Sequence, residues 1–303
     1  MIRCDSGADG TVRIGEGFAC VHFDAKVFPF AECIKSETGL PCPVLCGVFF
    51  MNMRVKSWLL IPVSLAIALI VWSLLTRFGR FPAFILPSPG QVWDRLLVTI
   101  ADGSLLRHTL ATLGEVLLGL ILGVGTAAIL GYALAKSEWL ERLLSPYIVA
   151  SQSVPVVAIA PLLVIWFGAE LLSKVLIAAL IVFFPVLINT IVGLRSVPVG
   201  LRDLMRSLQA SSWQTFRMLE VPAALPVFLG GLKVGATLAV IGAVVGEFVA
   251  ADQGLGFLIN LGRGLYDTAL VFVAIFILVS MAMLLYGAVA LLESRLLSWQ
   301  KKG

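Results

Sequence analysis

The stretch "DLMRSLQASSWQTFRMLEVPAALP", residues 203–226, is a compact polar segment set between two long apolar runs. Leu201, Leu204, Met205 and Leu208 recur at i, i+3, i+4 and i+7, the spacing of one helix face, while Arg202, Asp203, Arg206 and Ser207 fall elsewhere around it. The spacing predicts a short amphipathic helix. Ser211-Ser212-Trp213-Gln214 then has the spacing of a capping box, in which the Ser hydroxyl closes one orphan amide and the Gln three residues on closes another. A second helix is expected to start there. It carries Trp213, Phe216 and Leu219 and runs into Pro222, a residue suited to the opening turn of the next helix. Two short helices at an angle form either a surface hairpin lying on lipid headgroups or a docking element for a soluble partner.

The surroundings of this segment are those of a membrane protein. Hydrophobic residues make up 59% of the chain and charged ones 13%, against about a quarter charged in soluble domains. Mean hydropathy is +1.01. Six runs approach the roughly 20 residues that cross a hydrocarbon core as a helix: residues 58–76, 110–134, 146–167, 171–194, 221–247 and 269–292. The fold expected is all-α, with six transmembrane helices and a cytoplasmic loop at about 198–220. Lys and Arg set its orientation. Arg54, Lys56, Lys136, Arg142, Arg195, Arg202, Arg206, Arg217, Arg295, Lys301 and Lys302 fall on one side, and only Arg77, Arg80, Arg95, Arg107, Lys174 and Arg263 on the other. Eleven against six puts both termini in the cytoplasm. The basic balance follows from this rule, so no nucleic-acid partner is inferred.

Residues 1–52 follow a different pattern. All five cysteines, Cys4, Cys20, Cys33, Cys42 and Cys46, lie there, with spacings that match no metal-ligand set. "MNMRVKSWLLIPV", from Met51, has the character of a natural start, two positive charges leading into an apolar run. The expectation is that Met51 or Met53 is the initiator, residues 1–52 being an over-extended reading frame and 53–303 the membrane domain.

The opening segment resembles the EAA loop of permease subunits of binding-protein-dependent ABC importers. Asp203 stands where that pattern has Glu, Leu204 and Met205 where it has two alanines, and Gln209 where it has Gly, followed by Ala210-Ser211 and a closing "LEVPAALP". Gly permits a positive-φ turn that Gln resists, so the bend is expected to be made differently here. "FILPSPGQVWDRL" (84–96), "SQSVPVVAIAPLLVIWFG" (151–168), "GGLKVGATLAVIGAVVGEF" (230–248) and "GLGFLI" (254–259) are similar to the nitrate, sulfonate and taurine branch of that family, which includes permeases for a thiamine pyrimidine precursor and for riboflavin.

The resemblance implies a type I importer permease in the bacterial inner membrane. Its partners would be an ATP-binding subunit that carries the ATP and magnesium, a periplasmic substrate-binding protein, a second permease copy and the lipid around it. No Walker A pattern, G-x-x-x-x-G-K-[ST], occurs in the chain, so no cofactor and no catalytic residue are assigned to it. Leu204, Met205, Leu208, Trp213 and Phe216 would anchor the ATPase, with Asp203, Arg206 and Arg217 at the rim and Gln209-Ala210 at the bend. The alternative role for Trp213 and Phe216 is to brace the two helices against the membrane spans. The substrate would be a small organic solute, a vitamin precursor or riboflavin ahead of nitrate, sulfonate or taurine.

Polar groups inside apolar runs mark pathway candidates, because they are expensive in lipid. Ser151, Gln152, Ser153, Asn189 and Glu247 are the set; Glu115 also lies within a run, and Lys233 is near enough to an end to snorkel. Gly231, Gly235, Gly242 and Gly246 are small-residue repeats that allow close helix contact. Pro155, Pro161 and Pro185 are expected to kink their helices. His108 reads as an interfacial residue. Two other classes compete: a gradient-driven secondary transporter acting through Glu115 or Glu247, for which no pair of inverted repeats is visible, and a membrane enzyme, for which there is no Cys past Met53 and His108 is the lone His.

Overall fold

A computed structural model describes residues 57–79, 82 and 84–298, with side chains from 62 onward. The leader with its five cysteines, the start at Met51 or Met53, and the charges of Arg54, Lys56, Arg80, Lys301 and Lys302 lie outside the described residues. Among the described residues every regular element is helical: α1 (Ser57–Phe78), α2 (Pro89–Ala101), α3 (Ser104–Lys136), α4 (Glu138–Gln152), α5 (Val156–Phe167), α6 (Leu171–Arg195), α7 (Val199–Ser207), α8 (Ser212–Thr215), α9 (Val221–Val249), α10 (Leu255–Gly264) and α11 (Thr268–Leu296). A single π-helical turn, Phe216–Glu220, joins α8 to α9.

Four helical stretches, α3, α6, α8 through α9, and α11, are long and apolar enough to cross a membrane, and α4 with α5 makes up to five. The span expected over 146–167 is not one straight helix, because α4 and α5 meet at 96°. The cause is local. Pro155 has no N–H to continue the ladder of α4, and its ring pushes Val154 out of the helical region. Pro146 and Pro161, by contrast, sit inside their helices.

The core is built on α6. Ile177, Ala178, Val182, Val186 and Leu187 have no exposed surface. Glycines let α3 and α9 approach it: a Cβ on Gly119 would meet Ala178, one on Gly123 would meet the Ala179 carbonyl at 2.7 Å, and one on Gly242 would meet the Ala178 Cα at 2.6 Å. In lipid no hydrophobic force gathers helices, so this closeness, with its dispersion contacts, is what holds the three together.

Loops are fixed by caps and cross-links. Ser88 and Gln91 form a capping box at the start of α2. Trp72 Nε1 donates to the Pro87 carbonyl at 3.1 Å and its ring stacks on Phe272. Arg95 pairs with Asp267 at 2.8 Å, while Asp267 also caps α11 through the Leu270 amide. Between α2 and α3 the Ser104 hydroxyl and amide hold the Asp102 carboxyl below the ordinary carboxylate range.

Candidate functional site

The loop between α6 and α9 is a folded, anchored element. α7 ends in a Schellman motif: the Ala210 amide donates to the Met205 carbonyl at 3.0 Å and the Gln209 amide to the Arg206 carbonyl at 2.9 Å. Gln209 sits at the turn with φ +53°. The expectation that Gln would force a different bend is therefore corrected. The two closing hydrogen bonds outweigh a left-handed penalty of about 1–2 kcal/mol for a residue with a Cβ. Ser211 then caps α8, its hydroxyl accepting from the Gln214 amide at 3.2 Å while the Gln214 side chain accepts from the Ser211 amide at 2.7 Å. Pro222 lacks the N–H that residue 218 would receive in an α-helix, and the adjoining Phe216–Glu220 turn widens to π geometry, with the Val221 amide reaching the Phe216 carbonyl.

Leu201, Leu204 and Leu208 stand on one face of α7 and are 44%, 52% and 67% exposed. Met205 and Ala210 are half-buried, and Asp203, Arg206, Gln209 and Arg217 are exposed. Arg206 makes only a long contact to Asp203, 3.5 Å, in water. The two aromatics divide their roles. Phe216 is half-buried and meets Tyr132 of α3 edge-on at 5.2 Å; Trp213 stacks on Phe216 at 5.5 Å and stays 66% exposed. Phe216 braces the element on the spans, leaving Trp213 outward.

Charged links complete the bracing. Lys136 Nζ, at the end of α3, reaches Glu220 Oε1 at 2.5 Å, with Glu220 buried. Arg202 donates to the Leu194 carbonyl at 2.7 Å. Arg195 pairs with Glu141 through both of its terminal nitrogens. Sequence reading counted Lys136 only in the charge balance and assigned no role to Glu141 or Glu220. The available signal was Glu220 itself, a carboxylate one residue before a long apolar run, which needs a cation from another element.

The pathway candidates are dispersed. Ser151, Gln152 and Ser153 are exposed at the break between α4 and α5, with Ser151 bonding the Ile148 carbonyl at 2.8 Å. Asn189 is half-buried against Gly231, its amide donating to the Pro185 carbonyl at 2.8 Å. Gly231, Gly235, Gly242 and Gly246 all face α6, against Asn189, Val182 with Val186, Ala178 and Lys174. Lys233 forms an ion pair with Glu293 of α11.

Glu247 is 1% exposed and holds a polar seam at the far end of the helices. Its carboxylate accepts from Thr112 Oγ1 at 2.6 Å and from the Gly256 amide at 2.5 Å. Thr112 in turn accepts from the Leu255 amide at 2.8 Å. His108, expected at the interface, also holds this loop: its Nδ1 accepts the Gly254 amide at 3.0 Å. A Cβ at Gly254 would fall inside the Glu247 carboxylate, which explains why "GLG" opens α10. Beside this seam Lys174 pairs with Glu115 at 3.2 Å, both buried, bordering a cavity of about 630 Å³ that also touches Glu170 and Asp252.

Known proteins are similar to this chain. Residues 116–298 match the family described as "Binding-protein-dependent transport system inner membrane component". The riboflavin transport system permease protein RibX of Chloroflexus aurantiacus is 50% identical over 79% of this chain and 90% of its own length. The formylaminopyrimidine transport permease protein ThiX of Halalkalibacterium halodurans is 38% identical over 77% of this chain and 93% of its own. The taurine transport system permease protein TauC of Escherichia coli is 33% identical over 78% and 88%. Among solved structures, the MetNI methionine ABC transporter in an inward-facing conformation superposes with a TM-score of 0.54 at 19% identity, covering 65% of this chain and 97% of that one. The last of these speaks to the fold alone. The match to the family over most of the helical region, with a relative identical at half of the aligned positions, shows that this chain belongs to the binding-protein-dependent transport system inner membrane components, the permease subunits of ABC importers.

Proposed function

We propose that this chain forms half of a transmembrane pathway that imports a small nitrogen heterocycle, riboflavin first among the candidates, using ATP hydrolysed by a partner subunit. The carrying observation is the exposed apolar face of α7, Leu201, Leu204 and Leu208, on a capped element braced to α3 by Lys136–Glu220 and Phe216–Tyr132. Such a face fits a groove on an ATP-binding subunit, where a few apolar anchors dominate the contact. Asp203, Arg206 and Arg217 then set its register from the rim, and ATP with magnesium resides on the partner.

Six spans follow if α1 is the first and the bent pair α4 and α5 together make one, which leaves both termini in the cytoplasm. A second copy completes the pathway, and a periplasmic binding protein delivers the solute. ATP binding acts as the ligand that favours one arrangement of the two halves. Ser151, Gln152, Ser153 and Asn189 supply polar groups along the route, while Glu247 fixes its outer wall. The 50% identity to a riboflavin permease supports riboflavin over the pyrimidine precursor, and both over sulfonates, taurine or nitrate. Family membership sets aside a gradient-driven transporter.

The test is uptake into proteoliposomes holding the assembled importer, with riboflavin, formylaminopyrimidine and taurine offered in turn. ATP-dependent riboflavin accumulation supports the reading. Uptake of taurine alone keeps the machinery and overturns the substrate; uptake driven by an ion gradient without ATP overturns both.

A further inference from the structure

At the junction of α3, α6 and the loop, two cavities adjoin. One, of about 350 Å³, is polar and lined by Lys136, Arg202, Arg206 and Glu220. The other, of about 450 Å³, is apolar and lined by Ile129, Tyr132, Leu194, Phe216, Val221 and Phe228. Leu194 belongs to both. The helices carry the lining from one to the other: Tyr132 lies one turn before Lys136, whose ammonium is 5.6 Å from the Tyr132 ring centre, and Glu220 directly precedes Val221. A basic chamber thus passes into an apolar groove at the end of the spans, and the groove opens past Ile129, which is 75% exposed.

The polar chamber has unmet hydrogen-bonding capacity of both kinds. Three cations face one carboxylate, a net of +2. Lys136 is committed to Glu220, but Arg206 holds nothing stronger than a 3.5 Å contact, and Arg202 Nε has no acceptor among the described residues. Glu220 is 3% exposed, and its Oε2 has no donor among the described residues. Guanidinium groups match phosphate oxygens, whereas a free carboxylate oxygen asks for a hydroxyl.

We propose that this double cavity binds an anionic glycerophospholipid whose headgroup carries a hydroxyl, of the phosphatidylglycerol type. The phosphate sits between Arg202 and Arg206, the headgroup hydroxyl donates to Glu220 Oε2, and an acyl chain lies in the groove against Phe216 and Tyr132. Basic chambers between helices at the cytoplasmic surface take acidic headgroups in this way. A free phosphate or nucleotide would use the guanidiniums and leave the groove empty; zwitterionic lipid would fill the groove and add a cation beside two arginines. Because the lipid would touch the brace of the loop on two sides, membrane composition would set how firmly α7 is held.

Native mass spectrometry of the detergent-solubilised full-length protein, with the subunits that copurify, tests this. Phosphatidylglycerol, phosphatidylcholine and inorganic phosphate are titrated separately. Expected is preferential retention of phosphatidylglycerol, weakened about tenfold in Arg202→Gln/Arg206→Gln and in the groove-filling Ala128→Phe, with Arg142→Gln, an exposed arginine of α4, unchanged. Arg206 is exposed, so Arg206→Gln alone gives a folded variant in which a smaller loss is still expected. Equal retention of the two lipids, binding indifferent to the Arg and Ala128 changes, or a phosphate that displaces the lipid entirely would each overturn the proposal.

Discussion

Lys136 Nζ of α3 reaches Glu220 Oε1 at 2.5 Å, joining a membrane helix to the loop that precedes α9. The carboxylate is buried while the ammonium is half exposed, so the two ends of the pair are unequal. Removing the lysine strands a buried charge. Removing both does not. Lys136→Met is therefore expected to cost about 1–3 kcal/mol, below the range for a wholly buried pair, and Lys136→Met/Glu220→Gln to recover most of it. Thermal unfolding in detergent gives the cycle, and additive losses would show that the pair is not coupled.

Gln209 holds a left-handed conformation at the end of α7. Gln209→Gly keeps the Schellman bonds and removes the Cβ strain, which should stabilise the protein by about 1 kcal/mol. Gln209→Val should do the reverse. An unchanged melting temperature in both would mean that the loop melts before the rest and contributes nothing to the transition.

Gly242 packs on the Ala178 backbone, where a Cβ would come within 2.6 Å of the Cα. Gly242→Val is expected to force α9 from α6 and to lose about 1–3 kcal/mol or more. Gly230→Ala, in the same helix with open space at its Cβ, is the matched control and should be neutral or slightly stabilising.

Glu115 and Lys174 are both buried beside the Glu247 seam. Glu115→Leu leaves the ammonium unpaired and is expected to cost about 3–5 kcal/mol, whereas Glu115→Leu/Lys174→Met should be far milder. Expression level and detergent half-life report the difference.

The α7 helix, the Ser211–Gln214 box and the long apolar helices were legible because each depends on spacing within one segment. The 96° break between α4 and α5 was only half visible. Pro155 announces a disturbance, but Pro146, Pro161 and Pro185 carry the same signal and sit inside helices. Proline alone does not say which helix it will break. The Glu247 seam was illegible because Thr112 and Glu247 lie 135 residues apart, and nothing local links a threonine to a carboxylate across that distance. Glycines 119 and 123 of α3 were passed over in favour of those in α9, although both sets meet α6.

In the proposed function the exposed face of α7 couples this permease to an ATPase. Leu204 and Leu208 are 52% and 67% exposed and so tolerate Asp better than the half-buried Phe216, which packs on Tyr132. The direct measurement is copurification of the ATP-binding subunit with tagged wild type and with Leu204→Asp/Leu208→Asp, at equal melting temperature. The ATPase is expected to stay with the wild type and to be lost from the variant; an ATPase retained equally by both would contradict coupling through α7.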